Sequence, residues 1–141
     1  VLSADPIDVA AVRAQVSDPG FGAVLVFEGV ARDHFGEQGV TALEYEAYPE
    51  LCVPVVDQVR QELSARWPGC KLAVAHRTGL LQVGDTSMVI AVGTAHRGEC
   101  YAASRYAIEA IKERLPVWKK EHFVEGGGDW RENTPREVDT P

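Results

Sequence analysis

Three groups of residues in this 141-residue chain have the types and spacing for chemistry on an anion. The first is Thr94-Ala95-His96-Arg97-Gly98, where a strand-like run meets a helix-like one. Backbone N–H groups at a helix start attract negative charge, and His96 and Arg97 would add an imidazole and a guanidinium fork. That is phosphate-binding chemistry, although the same residues also suit a plain helix start with two solvated side chains. The second group is Lys112 with Lys119, on either side of Pro116. A cation near a helix C-terminus is favoured by the helix dipole, which alone accounts for Lys112. Crowded by Arg105 and Arg114, it can also serve as a base or nucleophile. The third is Arg32, in a polar loop after Phe27-Glu28-Gly29-Val30. Loops on a rigid scaffold carry many binding residues, and an exposed arginine is equally at home there.

Other signals are weaker. Gly126-Gly127-Gly128 lacks the strand-before, helix-after setting of a dinucleotide loop, and no Gly-Lys-Ser/Thr follows it. There is no Gly-x-Ser-x-Gly elbow. The three cysteines, Cys52, Cys70 and Cys100, are odd in number and widely spaced, which argues against a disulfide framework or a zinc site. They suit small buried residues in a reducing compartment. The four histidines form no close ligand pair, so no metal and no cofactor is expected. The chain thus offers a candidate anion pocket without a self-contained nucleophile.

The net charge of −7 disfavours a general nucleic-acid binder, which needs cations against phosphates. The charge is uneven: residues 97–120 hold six Lys/Arg against three Glu, whereas residues 121–141 hold six acids against two Arg. No apolar run approaches the ~20 residues of a membrane helix, and no signal peptide is visible. A cytoplasmic protein with no membrane contact is expected.

The elements that must position these residues follow from hydrophobic period. Residues 6–16 have Val9, Val12 and Val16 at helical spacing. Residues 22–30 are apolar and β-branched, a strand, followed by a loop over 31–39. Residues 40–48 predict a strand paired with the previous one. Residues 49–67 form the clearest helix, with a stripe of Leu51, Val55, Val59 and Leu63 widened by Val56. A strand follows over 70–78, then a turn-rich connection over 79–85. The strand over 86–95 places Met88, Ile90 and Val92 on one face and Val89 and Ala91 on the other, so both faces are covered. A second long helix over 99–115 carries Ala103, Tyr106, Ala107, Ala110 and Ile111 inward, and Pro116 halts it. Trp118 heads a short polar segment. The fold class expected is a single-domain α+β sandwich, with helices on a mostly antiparallel sheet, over residues 1–125. Residues 126–141 form a tail on the surface or on a partner.

Several of these pieces, taken in order, resemble the large, catalytic subunit of molybdopterin synthase. They are Phe27-Glu28-Gly29-Val30-Ala31-Arg32-Asp33-His34, then Leu43-Glu44-Tyr45-Glu46-Ala47-Tyr48, then His76-Arg77-Thr78-Gly79 with Val83-Gly84-Asp85. Thr94-Ala95-His96-Arg97 follows, and last comes Ile111-Lys112-Glu113-Arg114-Leu115-Pro116-Val117-Trp118-Lys119-Lys120-Glu121. The resemblance implies a hammerhead-like fold and a sulfurtransferase of molybdenum-cofactor synthesis. Its substrate would be cyclic pyranopterin monophosphate. The sulfur would arrive as a thiocarboxylate on the C-terminal glycine of a small ubiquitin-like carrier subunit. Two large subunits would form the central dimer of a heterotetramer. Carried over by position, Arg32, His96 and Arg97 would line the phosphate pocket. Lys112 would be the catalytic lysine and Lys119 a second pocket lysine. Val30, Ala31, Lys120 and Glu121 flank these and would add contacts. Where some relatives have a lysine beside the loop arginine, this chain has Val30-Ala31.

Overall fold

The strand Thr86–Thr94 organises the molecule. It is buried along almost its whole length, with side chains of alternating direction feeding two cores. A computed structural model describes residues 1–133. Its elements are β1 (Leu2–Ser3), α1 (Val9–Ala14), β2 (Ala23–Val30), β3 (His34–Phe35), β4 (Gln38–Ala47) and α2 (Pro49–Arg66). They continue with β5 (Lys71–Arg77), β6 (Gly79–Gln82), β7 (Thr86–Thr94), α3 (Arg97–Arg114), β8 (Val117–Phe123) and β9 (Trp130–Glu132).

One sheet has the order β1-β5-β7-β2, and only its short β1–β5 ladder is parallel. Met88, Ile90 and Val92 of β7 meet α2 and α3 in the main core, while Val89 and Ala91 meet Val12 and Val16 near α1. Gly93 is required in β7 because a Cβ there would lie 2.4 Å from the Val16 carbonyl oxygen and 2.7 Å from the Phe21 ring. The second sheet has β4 at its centre, with β6 and the β3 hairpin on one side and β8 then β9 on the other.

The α+β class with a mostly antiparallel arrangement is as expected, and several details differ. β4 does not pair with β2; it pairs with β3, β6 and β8, and β2 pairs with β7. The expected loop over 31–39 contains β3, and the expected connection over 79–85 contains β6. The polar segment headed by Trp118 is strand β8. Part of the tail, Trp130–Glu132, is β9, a strand laid on β8; residues 134–141 of the tail lie outside the described residues. Helix α1 is shorter than residues 6–16. Asp8 caps it by accepting from the Ala11 N–H at 3.1 Å, which leaves Pro6 outside.

In α2 the buried stripe is Cys52, Val56, Val59 and Leu63, whereas Leu51 is exposed. The stripe is rotated because steps of four residues drift around a helix of about 3.6 residues per turn, so Leu51, Val55, Val59 and Leu63 do not share one face, whereas Cys52, Val56, Val59 and Leu63 do. In α3, Tyr106 is only partly buried, since its hydroxyl donates to Glu62 of α2, which Arg114 also grips at 2.7 Å. Cys52 and Cys100 are buried and Cys70 is half-buried; all three are free thiols. Among the described residues no helix is long and apolar enough to cross a membrane.

Candidate active site

The residues that line one cavity come from widely separated parts of the chain. β2 ends at a bulge between Gly29 and Val30, which turns the chain into the loop bearing Arg32. The Ala31 N–H donates to the Asp85 carbonyl at 2.9 Å, and the Ala31 carbonyl accepts from Gly84 at 2.8 Å. Ala31 is therefore buried structural backbone, and Arg32 is projected beyond it. Helix α3 delivers Lys112 from its last turn, where the dipole favours a cation. Pro116 breaks the helix, and β8 starts at once. Because side chains alternate along a strand, Lys119 and Glu121 share a face with their cross-strand partners Tyr45 and Leu43. Lys120 and Trp118 are sent to the other face, opposite Glu44 and Glu46.

These elements enclose a cavity of about 270 Å³. Its lining includes Val30, Arg32, Phe35, Lys112, Lys119 and Glu121, with His76 of β5 and Asn133 after β9 in its wall. Among the described residues of the lining, Arg32, Lys112 and Lys119 face two carboxylates, Glu28 and Glu121, and both carboxylates are engaged. Glu28 accepts from the Thr86 hydroxyl at 3.0 Å. Glu121, only 3% exposed, pairs with Lys119 at 3.5 Å and with Arg131 of β9. The Arg131 guanidinium lies 3.9 Å from the Phe35 ring centroid, and Lys119 lies 5.7 Å from it. The lysines thus differ. Lys119 is held by a buried carboxylate, while no ion pair or hydrogen bond of the Lys112 amine occurs among the described residues.

Of the expected site residues, Arg32, Val30, Lys112, Lys119 and Glu121 are brought together. Ala31 is buried backbone next to the lining residues Val30 and Arg32, and Lys120, on the opposite face of β8, does not line the cavity. His96 and Arg97 are elsewhere. They stand exposed at the N-terminal end of α3, where His96 makes no side-chain cap and its carbonyl accepts from the Thr94 hydroxyl at 2.7 Å. Fifteen residues of helix separate Arg97 from Lys112, roughly 22 Å along the axis. Residues of the lining that the sequence does not assign to the site include His76, Phe35 and Asn133. The alternation of Lys119 and Glu121 about Lys120 is the signal that points to a strand there. Nothing local marks Arg131, whose placement depends on the pairing of β9.

Three cations converge on one cavity with no cysteine in its wall, and the Lys112 amine has no partner among the described residues, an arrangement suited to binding an anion. No group of three or more His, Cys, Asp or Glu is placed to hold a metal ion among the described residues. The sequence pattern of the MoaE protein family matches residues 2–114. The molybdopterin synthase catalytic subunit of Halalkalibacterium halodurans is 44% identical over 132 residues, covering 92% of this chain and 85% of that protein. Molybdopterin synthase catalytic subunit 1 of Mycobacterium tuberculosis is 40% identical, covering 95% and 90%. The crystal structure of molybdopterin synthase from Staphylococcus aureus superposes with a TM-score of 0.86 at 37% identity, over 92% of this chain and 94% of that one. The chain belongs to the MoaE family, that of the molybdopterin synthase catalytic subunits of molybdenum cofactor biosynthesis.

Proposed function

We propose that the cavity transfers sulfur from the C-terminal thiocarboxylate of a small ubiquitin-like carrier subunit to cyclic pyranopterin monophosphate, building the dithiolene of molybdopterin. The observation that carries this reading is the convergence of Arg32, Lys112 and Lys119 on a cavity walled by no cysteine. The only hydroxyl of a serine in the wall, Ser87, is committed to the Gly29 carbonyl at 3.1 Å. The attacking sulfur must therefore enter on another molecule. A carrier is consistent with a related structure from Helicobacter pylori, which is described as a complex of subunits 1 and 2 of molybdopterin-converting factor.

Arg32 and Lys119 bind and orient the anionic substrate, and their fixed charges offset charge developing at the reacting carbon. Lys112, with an amine that no carboxylate holds among the described residues, moves the proton at the carbon that receives sulfur. A pocket phosphate that also needs His96 and Arg97 cannot draw them from the same chain, given the length of α3. A central dimer that sets the helix start of one copy against the cavity of the other accommodates both. The test is reconstitution: the chain, a thiocarboxylated carrier and cyclic pyranopterin monophosphate should together yield molybdopterin. Failure to form it with all three present rejects the reading.

A further inference from the structure

His76 is a buried titratable group that the mechanism above leaves unused. It is 1% exposed, at the end of β5, and its ring stands edge-on to Tyr45 with centroids 4.8 Å apart. Its Nδ1 lies 2.8 Å from the Arg77 carbonyl oxygen. A carbonyl only accepts, so Nδ1 carries the proton and Nε2 keeps its lone pair. Nε2 has no hydrogen-bond partner among the described residues, nor is it among the fully enclosed polar atoms that lack one. It therefore opens on a cavity. Two cavities are available, and Lys112 and Asn133 line both of them with His76. The smaller has room for water centres of about 10 Å³, and the rest of its wall is apolar, including Met88 and Ile111. That is about the space one water occupies, and one water needs two to four polar partners.

We propose that His76 is a positioning residue for Lys112, acting through a single water that the imidazole, the lysine amine and Asn133 hold between them. The water donates to Nε2 and accepts from the Lys112 ammonium and from the Asn133 amide. One N–H of Lys112 is thereby turned towards the protein, and the others are aimed into the larger cavity where the substrate would lie. A neutral ring is required for this. Burial supplies it by lowering the His76 pKa to about 4, against the bond to Arg77, which raises it; the nearby Lys112 charge lowers it further.

The inference rests on the sulfur-transfer reading for its kinetic test, and on geometry for its structural one. His76→Asn retains a donor for the Arg77 carbonyl and deletes Nε2, whereas His76→Gln places an amide near the Nε2 position. In the reconstituted synthase, His76→Asn should lower kcat by roughly tenfold or more while KM stays within about twofold, since positioning of a reacting group is lost and substrate binding is not. His76→Gln should recover a large part of that kcat. A crystal structure of the wild-type chain should contain an ordered water bridging Nε2 and the Lys112 amine. Wild-type kcat in His76→Asn, an equal fall in both variants, or no water between the two side chains overturns the proposal. Should the wild-type synthase make no molybdopterin, the functional reading fails by itself, and the crystal still decides whether His76 and Lys112 share a water.

Discussion

Glu121 is the residue on which the cavity's charges are balanced. It is a nearly buried carboxylate between Lys119 and Arg131, whose side chains are 14% and 24% exposed. Removing its charge takes a buried counter-ion from both cations. Glu121→Gln should therefore destabilise the chain by about 3 kcal/mol, read from urea unfolding at neutral pH. A change too small to resolve would mean that the two cations are solvated well enough to need no partner. His76 makes a second prediction, with a definite sign. Its folded pKa of about 4 lies below the ordinary 6.5, so the unfolded chain binds the extra proton first. The stabilisation is complete above pH 6.5 and is lost as pH falls towards 4, amounting to about 3 kcal/mol. Unfolding free energies measured between pH 7 and pH 4 should show this fall in the wild type, and His76→Asn should lack that part of it. Parallel curves for the two proteins would contradict the burial of a neutral ring.

At the scale of elements, the long pieces were legible from hydrophobic period and the short ones were not. The both-faces pattern of β7 shows directly in its run of Met88 to Val92, because each face packs on a separate core. α2 and α3 follow from their 3.6-residue spacing, although Leu51 misled the first, since period alone cannot tell which edge of a stripe reaches the sheet. β8 was hidden because its partly buried residues include Trp118, Lys119, Lys120 and His122, with Lys119 serving the cavity on one face and His122 bonded to Glu44 on the other. Strands β3, β6 and β9 are two to four residues long, too short to have a period, and long-range pairing alone defines them. Hence Lys112 and Arg32 could be named from ordered motifs, while Phe35 and Asn133 could not. The placement of β9 depends on one glycine. Gly128 has φ +141°, and a Cβ there would fall 2.0 Å from the Glu121 carbonyl oxygen. Gly128→Ala should lift β9 off β8, releasing Arg131 from Glu121. Amide exchange over 130–132 should speed up and turnover should fall, with protection in β7 unchanged. Retained protection over 130–132 would show that β9 does not need this close approach.

At the scale of the whole molecule, the cavity and the His96-Arg97 helix start lie at opposite ends of α3, which is an argument about assembly. If a second copy supplies His96 and Arg97, inactive Lys112→Ala and Arg97→Ala chains mixed through dissociation should regain activity. Random pairing makes half the dimers mixed, each with one intact site, so about a quarter of wild-type activity is expected. No recovery would place the whole site within one chain. Above all of these stands the claim that Lys112, without a partner among the described residues, carries out the proton chemistry of sulfur transfer. The direct measurement is molybdopterin formation by Lys112→Ala with a thiocarboxylated carrier and cyclic pyranopterin monophosphate, alongside carrier binding by the same variant. The account predicts carrier affinity near that of the wild type and turnover lowered by a factor of about 10² or more, the loss expected when a general acid or base is removed. Turnover at the wild-type rate would contradict it.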